Sequence, residues 1–145
     1  MTTDASNATT DVGGKAISVV RWLVVINLGF VALQALSAGF LMSGYAHALK
    51  VHAIVAVALQ FGVLLQAVAA VVQWRRRRVP TWVAGVSIGL FVMVFLQVGF
   101  GYRRLYWLHV PIGVGIFGGL TRQLNRLETI QRSRHRTAME PRLFT

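Results

Sequence analysis

The sequence contains no cysteine and only four acidic residues, none of which lies inside a long apolar run. The absence of cysteine excludes structural disulfides, thiol redox catalysis and cysteine-bound metal or iron–sulfur centres. Charged residues make up 13% of the chain and hydrophobic residues 55%. Soluble domains carry roughly 25% charged residues, so this composition is that of a membrane protein.

Apolar sequence is abundant and falls into four runs separated by short polar segments. Three runs exceed the roughly 20 residues that a helix needs to cross a bilayer, and Arg122 and Arg126 can snorkel from the end of the shorter fourth run. We therefore predict an all-α integral membrane four-helix bundle made of two tandem helical hairpins. The predicted segments are a disordered N-terminal tail (1–15), a bundle (16–124) with helices at about 16–43, 51–74, 80–101 and 105–124, and a basic cytoplasmic tail (125–145).

Basic residues outnumber acidic ones by 15 to 4, which gives a formal net charge of +11. Twelve of the 15 lie on one side of the predicted helices, including the run Arg75–Arg78 and every basic residue from Arg122 onwards. By the positive-inside rule, both termini and the middle loop face the cytoplasm. Membrane topology thus explains the basic charge, and no nucleic-acid partner is expected.

The two halves of the chain share a pattern. "LQALSAGF" precedes "KVHAIVA" in the first half, and "LQVGFGY" precedes "WLHVPIG" in the second. Gln34 and His52 thereby correspond to Gln97 and His109. Both histidines are expected just inside the outer boundary, on helices that run in the same direction, where two-fold symmetry turns both imidazoles toward the bundle axis.

Ionisable groups inside a membrane are costly and tend to mark function. Two facing imidazoles are too few for a structural zinc site, but haem needs two axial ligands and fits between four helices. Lys50, Arg103 and Arg104 lie in the outer loops at the level of haem propionates, although such cations equally suit lipid phosphate. Gly113, four residues after His109, lets either a macrocycle or another helix approach closely.

The segments "LQVGFG…WLHVPIGVGIFG" and "LQALSAGF…KVHAIVA" are similar to segments of the haem A synthase family. Residues 20–125 or so resemble one four-helix half of those proteins, which implies that His52 and His109 are axial ligands. Two features of the family are missing. The glutamate of its Glu-x-x-His pattern is replaced by Leu49 and Tyr106, and the cysteine pair of its outer loops is absent, so oxidation of the haem methyl group is not carried over.

The expected function is therefore that of a b-type haem protein of the bacterial plasma (inner) membrane. Two axial ligands leave no open position on the iron, which favours electron transfer, so no catalytic residue is assigned and enzymatic activity is left open. The expected partners are the lipid bilayer, a redox partner or quinone, and a second copy of the chain in a homodimer. Two alternatives stay open: a cofactor-free structural or accessory membrane protein, and a small transporter.

Overall fold

The computed structural model describes the backbone of residues 3–139 and the side chains of residues 13–134 and 136. Four helices make up this part of the chain: α1 (Thr3–Met42), α2 (Ala48–Arg75), α3 (Thr81–Tyr102) and α4 (Tyr106–Met139). Each helix packs against the next one along the chain, and α1 also packs against α4. The helices thus form a closed ring in which α2 and α4 occupy opposite corners. The predicted all-α four-helix bundle is confirmed.

Three stretches are long and apolar enough to cross a membrane: Gly13–Met42, Ala48–Arg75 and Thr81–Tyr102. Many of the largest apolar side chains point away from the bundle, as shown by Phe61 and Phe95, which are 68% and 63% exposed. Such an exterior suits lipid and not water. The fourth helix is not among the three stretches, because its apolar sequence is brief, rich in glycine and ends at Leu120.

The helices α2 and α3 begin and end within three residues of their predicted bounds, whereas α1 and α4 are longer than predicted. Helix α1 begins at Thr3, within the segment predicted to be a disordered tail, and α4 continues to Met139 instead of ending at residue 124. Residues 1, 2 and 140–145 of the two predicted tails lie outside the described residues.

Contacts with α1 explain the extra length of α4. Leu127 is completely buried, and the amide nitrogen of Gln131 donates to the Ser18 hydroxyl of α1 over 2.8 Å. The polar sequence at the start of the predicted basic tail is thus partly the outer face of a packed helix pair.

Each of the first three helices ends in the same tight turn. Gly44, Arg77 and Arg104 follow the helices in the left-handed conformation, with φ angles of 91°, 55° and 56°. The N–H of the next residue then bonds to the carbonyl five positions back, for example Leu105 to Phe100 over 3.0 Å. This is the Schellman arrangement, which satisfies the last carbonyls of a helix and reverses the chain within a few residues.

A polar cluster joins all four helices inside the bundle. It consists of one side chain from each helix in chain order, all buried: Asn27, Gln66, Ser87 and Gln123. Gln66 accepts from Asn27 over 2.8 Å and donates to Gln123 over 3.0 Å. Gln123 in turn donates to the Ser87 hydroxyl over 2.9 Å. Buried polar groups must be paired, so this cluster fixes the positions of the helices along one another.

Candidate functional site

The structure brings together the two histidines that the sequence pattern singled out. The centroids of the His52 and His109 rings lie 6.2 Å apart, and the ring planes are inclined at 54°. The two residues belong to α2 and α4, which stand at opposite corners of the bundle. Their half-buried side chains therefore reach across the interior and meet near its centre.

The imidazole of His52 is held by α1. Its Nδ1 lies 3.0 Å from the hydroxyl oxygen of Ser37, and that hydroxyl donates its hydrogen to the carbonyl of Gln34 over 3.0 Å. Since the one hydroxyl hydrogen is used in this way, the oxygen of Ser37 accepts a hydrogen from Nδ1 of His52. The Gln34 side chain adds a further link by donating to the carbonyl of His52 over 3.0 Å.

The imidazole of His109 is held by α3. His109 lies in the first turn of α4, where its backbone N–H bonds to the carbonyl of Leu105 over 2.9 Å, and Pro111 is accommodated inside the helix. Its Nδ1 lies 2.9 Å from the main-chain carbonyl oxygen of Gln97. A carbonyl can only accept, so Nδ1 of His109 also carries the hydrogen.

These hydrogen bonds define the chemistry that the pair can perform. With Nδ1–H donating in both rings, the Nε2 atom of each neutral imidazole keeps its lone pair. Metal-binding histidines show the same pattern, in which a hydrogen bond to one nitrogen fixes the ring while the other binds the metal. Two metal–nitrogen bonds of about 2 Å each, with about 1 Å from each nitrogen to its ring centre, span about 6 Å. The observed separation of 6.2 Å between centroids equals this span, so a metal ion fits between the rings where their Nε2 atoms face one another.

The absence of a side chain at Gly101 makes space for the His109 ring. A side chain at Gly101 would place its Cβ 3.0 Å from Cε1 and 3.1 Å from Nδ1 of His109. The imidazole therefore lies directly on the backbone of α3. Gly113 has a different neighbour, because a Cβ there would lie 2.9 Å from the amide nitrogen of Gln97. Gly113 thus lets α4 pack closely against the side chain of Gln97 on α3.

The three outer cations predicted beside the site are exposed at the same end of the bundle. Lys50 lies in the first turn of α2, and Arg103 and Arg104 lie in the loop that leads to α4. None of the three has an ion pair or hydrogen bond from its side chain to another described residue. Their charges are thus available to an anionic group near the histidines.

Two buried acceptors beside the histidine pair are unpaired. The side-chain oxygens Oε1 of Gln34 and Gln97 are both inaccessible to solvent and have no hydrogen-bond partner in the structure. The two glutamines occupy corresponding positions of the two halves. Buried polar atoms are normally satisfied, so each can accept one further hydrogen bond at the histidine end of the bundle.

Sequence reasoning missed the glutamine pair of the polar cluster, although the sequence contained its signal. Gln66 follows His52 by 14 residues, and Gln123 follows His109 by the same number. Along a helix this corresponds to about 21 Å, so the two glutamines meet well below the two histidines. Gly62 and Gly119 likewise follow His52 and His109 by ten residues each, so the shared pattern extends along both helices.

A metal site built by side chains alone is not found in the described part of the chain. No group of three or more His, Cys, Asp or Glu side chains comes together there. Two imidazoles supply two ligands, which suits a metal ion whose remaining coordination positions are filled by a macrocycle.

Comparison of the chain with protein-family models, with curated protein sequences and with solved structures gives no match. The resemblance to haem A synthases therefore stays a prediction that depends on the residues quoted above.

Proposed function

We propose that this chain is a membrane protein that holds one b-type haem between the Nε2 atoms of His52 and His109. The observation that carries the proposal is the meeting of the two rings across the bundle, each with its Nδ1–H bonded to a fixed acceptor. Haem bound by two imidazoles supplies reversible one-electron chemistry. The function proposed is electron transfer, with a membrane quinone or a redox protein as partner.

Each neighbouring residue has a defined task in this proposal. Ser37 and the main-chain carbonyl of Gln97 set the tautomer and orientation of the two ligands. Lys50, Arg103 and Arg104 supply positive charge for the propionate groups at the outer surface.

The proposed topology has four membrane-spanning helices, including α4, arranged as two tandem hairpins with both termini in the cytoplasm of a bacterium. Most of the basic residues lie at the end of the bundle opposite the histidines, which supports this orientation. The common offset of the histidine and glutamine pairs supports the tandem arrangement.

Absorption spectroscopy of the full-length protein, purified in detergent from haem-replete cells, tests the proposal. We expect a Soret band that is lost in both His52→Ala and His109→Ala. His47→Ala is the matched control, because His47 is exposed just before α2 and makes no side-chain cap bond. Colourless wild-type protein, or a band that survives both substitutions, would overturn the proposal.

A scaffold or accessory protein without a cofactor is the second candidate. The polar cluster favours it, because hydrogen bonds across four helices stabilise a bundle without any ligand. Under this alternative the protein does not bind added haemin, and its thermal unfolding in detergent is the same with and without haemin. A rise in the unfolding temperature on addition of haemin to the wild type, but not to His52→Ala, supports the haem protein instead.

A further inference from the structure

A groove of about 580 Å³ lies between α3 and α4, at the end of the bundle opposite the histidines. Its lining combines one tryptophan, two arginines, three other polar side chains and one isoleucine: Trp82, Arg122, Arg126, Thr121, Asn125, Thr129 and Ile130. This composition differs from the apolar exterior of the rest of the bundle.

The two arginines of the groove have no negative partner among the side chains that the structure describes. Arg122 and Arg126 are exposed on successive turns of α4, and neither forms an ion pair with a described residue. The nearby carboxylate of Glu128 lies 3.7 Å from the guanidinium of Arg132 and forms no ion pair with Arg122 or Arg126. The guanidinium of Arg126 lies 5.4 Å from the centre of the Trp82 ring, which orients it.

The groove lies at the level of a membrane interface. Trp82 is the second residue of α3 and follows the loop that carries the four consecutive arginines. Tryptophan and arginine are enriched at this level of membrane proteins, where lipid phosphates lie. The middle of the bilayer lies on the side of the groove that faces the histidines.

An apolar stripe adjoins one edge of the groove at Thr121 and runs along α4 toward the middle of the bilayer. Val110, Val114 and Phe117 are 59%, 68% and 49% exposed, and their spacing puts them on one side of the helix together with Thr121. The Thr121 hydroxyl donates its hydrogen to the carbonyl of Phe117 over 2.9 Å. It therefore has no hydrogen left to donate to a ligand. A molecule with an anionic head and an apolar chain matches both parts of this surface.

We propose that the groove binds an anionic phospholipid of the cytoplasmic leaflet. Its phosphate accepts hydrogen bonds from the guanidinium groups of Arg122 and Arg126, and its acyl chains lie against the apolar surface on the bilayer side of the groove. Guanidinium groups bind phosphate oxygens in pairs, and basic pockets between membrane helices bind acidic headgroups. This assignment depends on membrane insertion and is independent of haem binding.

Native mass spectrometry of the full-length protein tests the site. The protein is reconstituted with phosphatidylglycerol or with phosphatidylcholine, released in mild detergent, and the retained lipid is measured. We expect one tightly held phosphatidylglycerol and no tightly held phosphatidylcholine. In Arg122→Gln/Arg126→Gln, retention falls about 100-fold, because each hydrogen bond between a guanidinium and the phosphate contributes a factor of about ten.

The control variant is Arg75→Gln/Arg76→Gln, which removes the same charge from the exposed C-terminal end of α2 on the same side of the membrane. It should keep the lipid, and circular dichroism should show unchanged helix content in both variants. An equal loss of phosphatidylglycerol in both variants would indicate general charge attraction only. No loss in either variant would indicate that the groove is not a lipid site. Each of these results overturns the proposal. Displacement of the lipid by excess inorganic phosphate would show an anion site without lipid preference, which also contradicts it.

A second substitution, Trp82→Leu, distinguishes a specific lipid site from general charge attraction, because it leaves both arginines in place. We expect phosphatidylglycerol retention to fall by a few-fold as Arg126 loses the ring that orients it. Retention equal to that of the wild type would contradict the role given to Trp82.

Discussion

The side-chain nitrogen of Gln66 donates to Oε1 of Gln123 over 3.0 Å, across the same diagonal of the bundle that His52 and His109 cross. The two diagonal pairs are separated by four helical turns. One pair lies near an end of the bundle and is only half-buried. The other is enclosed among all four helices and is almost completely buried. The interior thus has a half-buried histidine pair at one end and an enclosed polar cluster in its middle.

Substitutions of Gln66 and Gln123 should have non-additive effects on the free energy of unfolding. Gln66→Leu or Gln123→Leu alone leaves buried polar partners unpaired, and each is expected to lower the free energy of unfolding by about 1–3 kcal/mol. The double substitution should cost less than the sum, because it removes both partners of one hydrogen bond. Unfolding of each variant by denaturing detergent in mixed micelles measures these differences. Strictly additive effects would show that the two amides do not depend on one another.

Ser37 should control the ligand strength of His52. In Ser37→Ala, Nδ1 of His52 loses its acceptor, and the ring is free to turn or to change tautomer. If the proposed haem is bound, its affinity should fall about 10–100-fold, as is typical when a partner of a metal-binding histidine is removed. Titration with haemin measures the affinity. Ser43→Ala is the control, since Ser43 is exposed and its hydroxyl only bonds to the carbonyl of Gly39 over 2.9 Å; an equal loss in both variants would contradict the role of Ser37.

Two neighbouring glycines of α3 should respond differently to alanine. Gly101→Ala places a methyl group 3.0 Å from His109, so the ring must move, and haem binding should weaken. Gly99→Ala meets no atom within 4 Å and should leave binding unchanged. Alanine also favours helix by up to about 1 kcal/mol over glycine, so the second variant should unfold at the same or a higher temperature. The prediction fails if Gly99→Ala weakens haem binding as much as Gly101→Ala does.

Arg77 occupies a position that suits glycine. A residue with a side chain in the left-handed conformation is strained by about 1–2 kcal/mol. Arg77→Gly should therefore raise the thermal unfolding midpoint in detergent. Arg76→Gly is the comparison, because Arg76 has a φ of −80° and gains nothing from glycine. A lower midpoint for Arg77→Gly than for Arg76→Gly would show that the arginine side chain matters more than the turn.

The apolar runs and the repeat were sufficient to predict four helices and the pair His52 and His109. The extra length of α1 and α4 was not predictable from hydropathy, because beyond the membrane a polar helix and a polar tail have similar composition. The partners of the histidine rings, which are the hydroxyl of Ser37 and the main-chain carbonyl of Gln97, were not predicted. Which polar atom reaches a ring depends on helix rotation, and the spacing of residues does not specify that rotation.

The unequal support of the two rings has an evolutionary consequence. The acceptor for His109 is a backbone atom, which every amino acid at position 97 retains. The acceptor for His52 is the oxygen of one serine, which a single base change in its codon can remove or replace. Natural variation can therefore change the support of one imidazole by a single substitution, while the support of the other is inherited with the main chain.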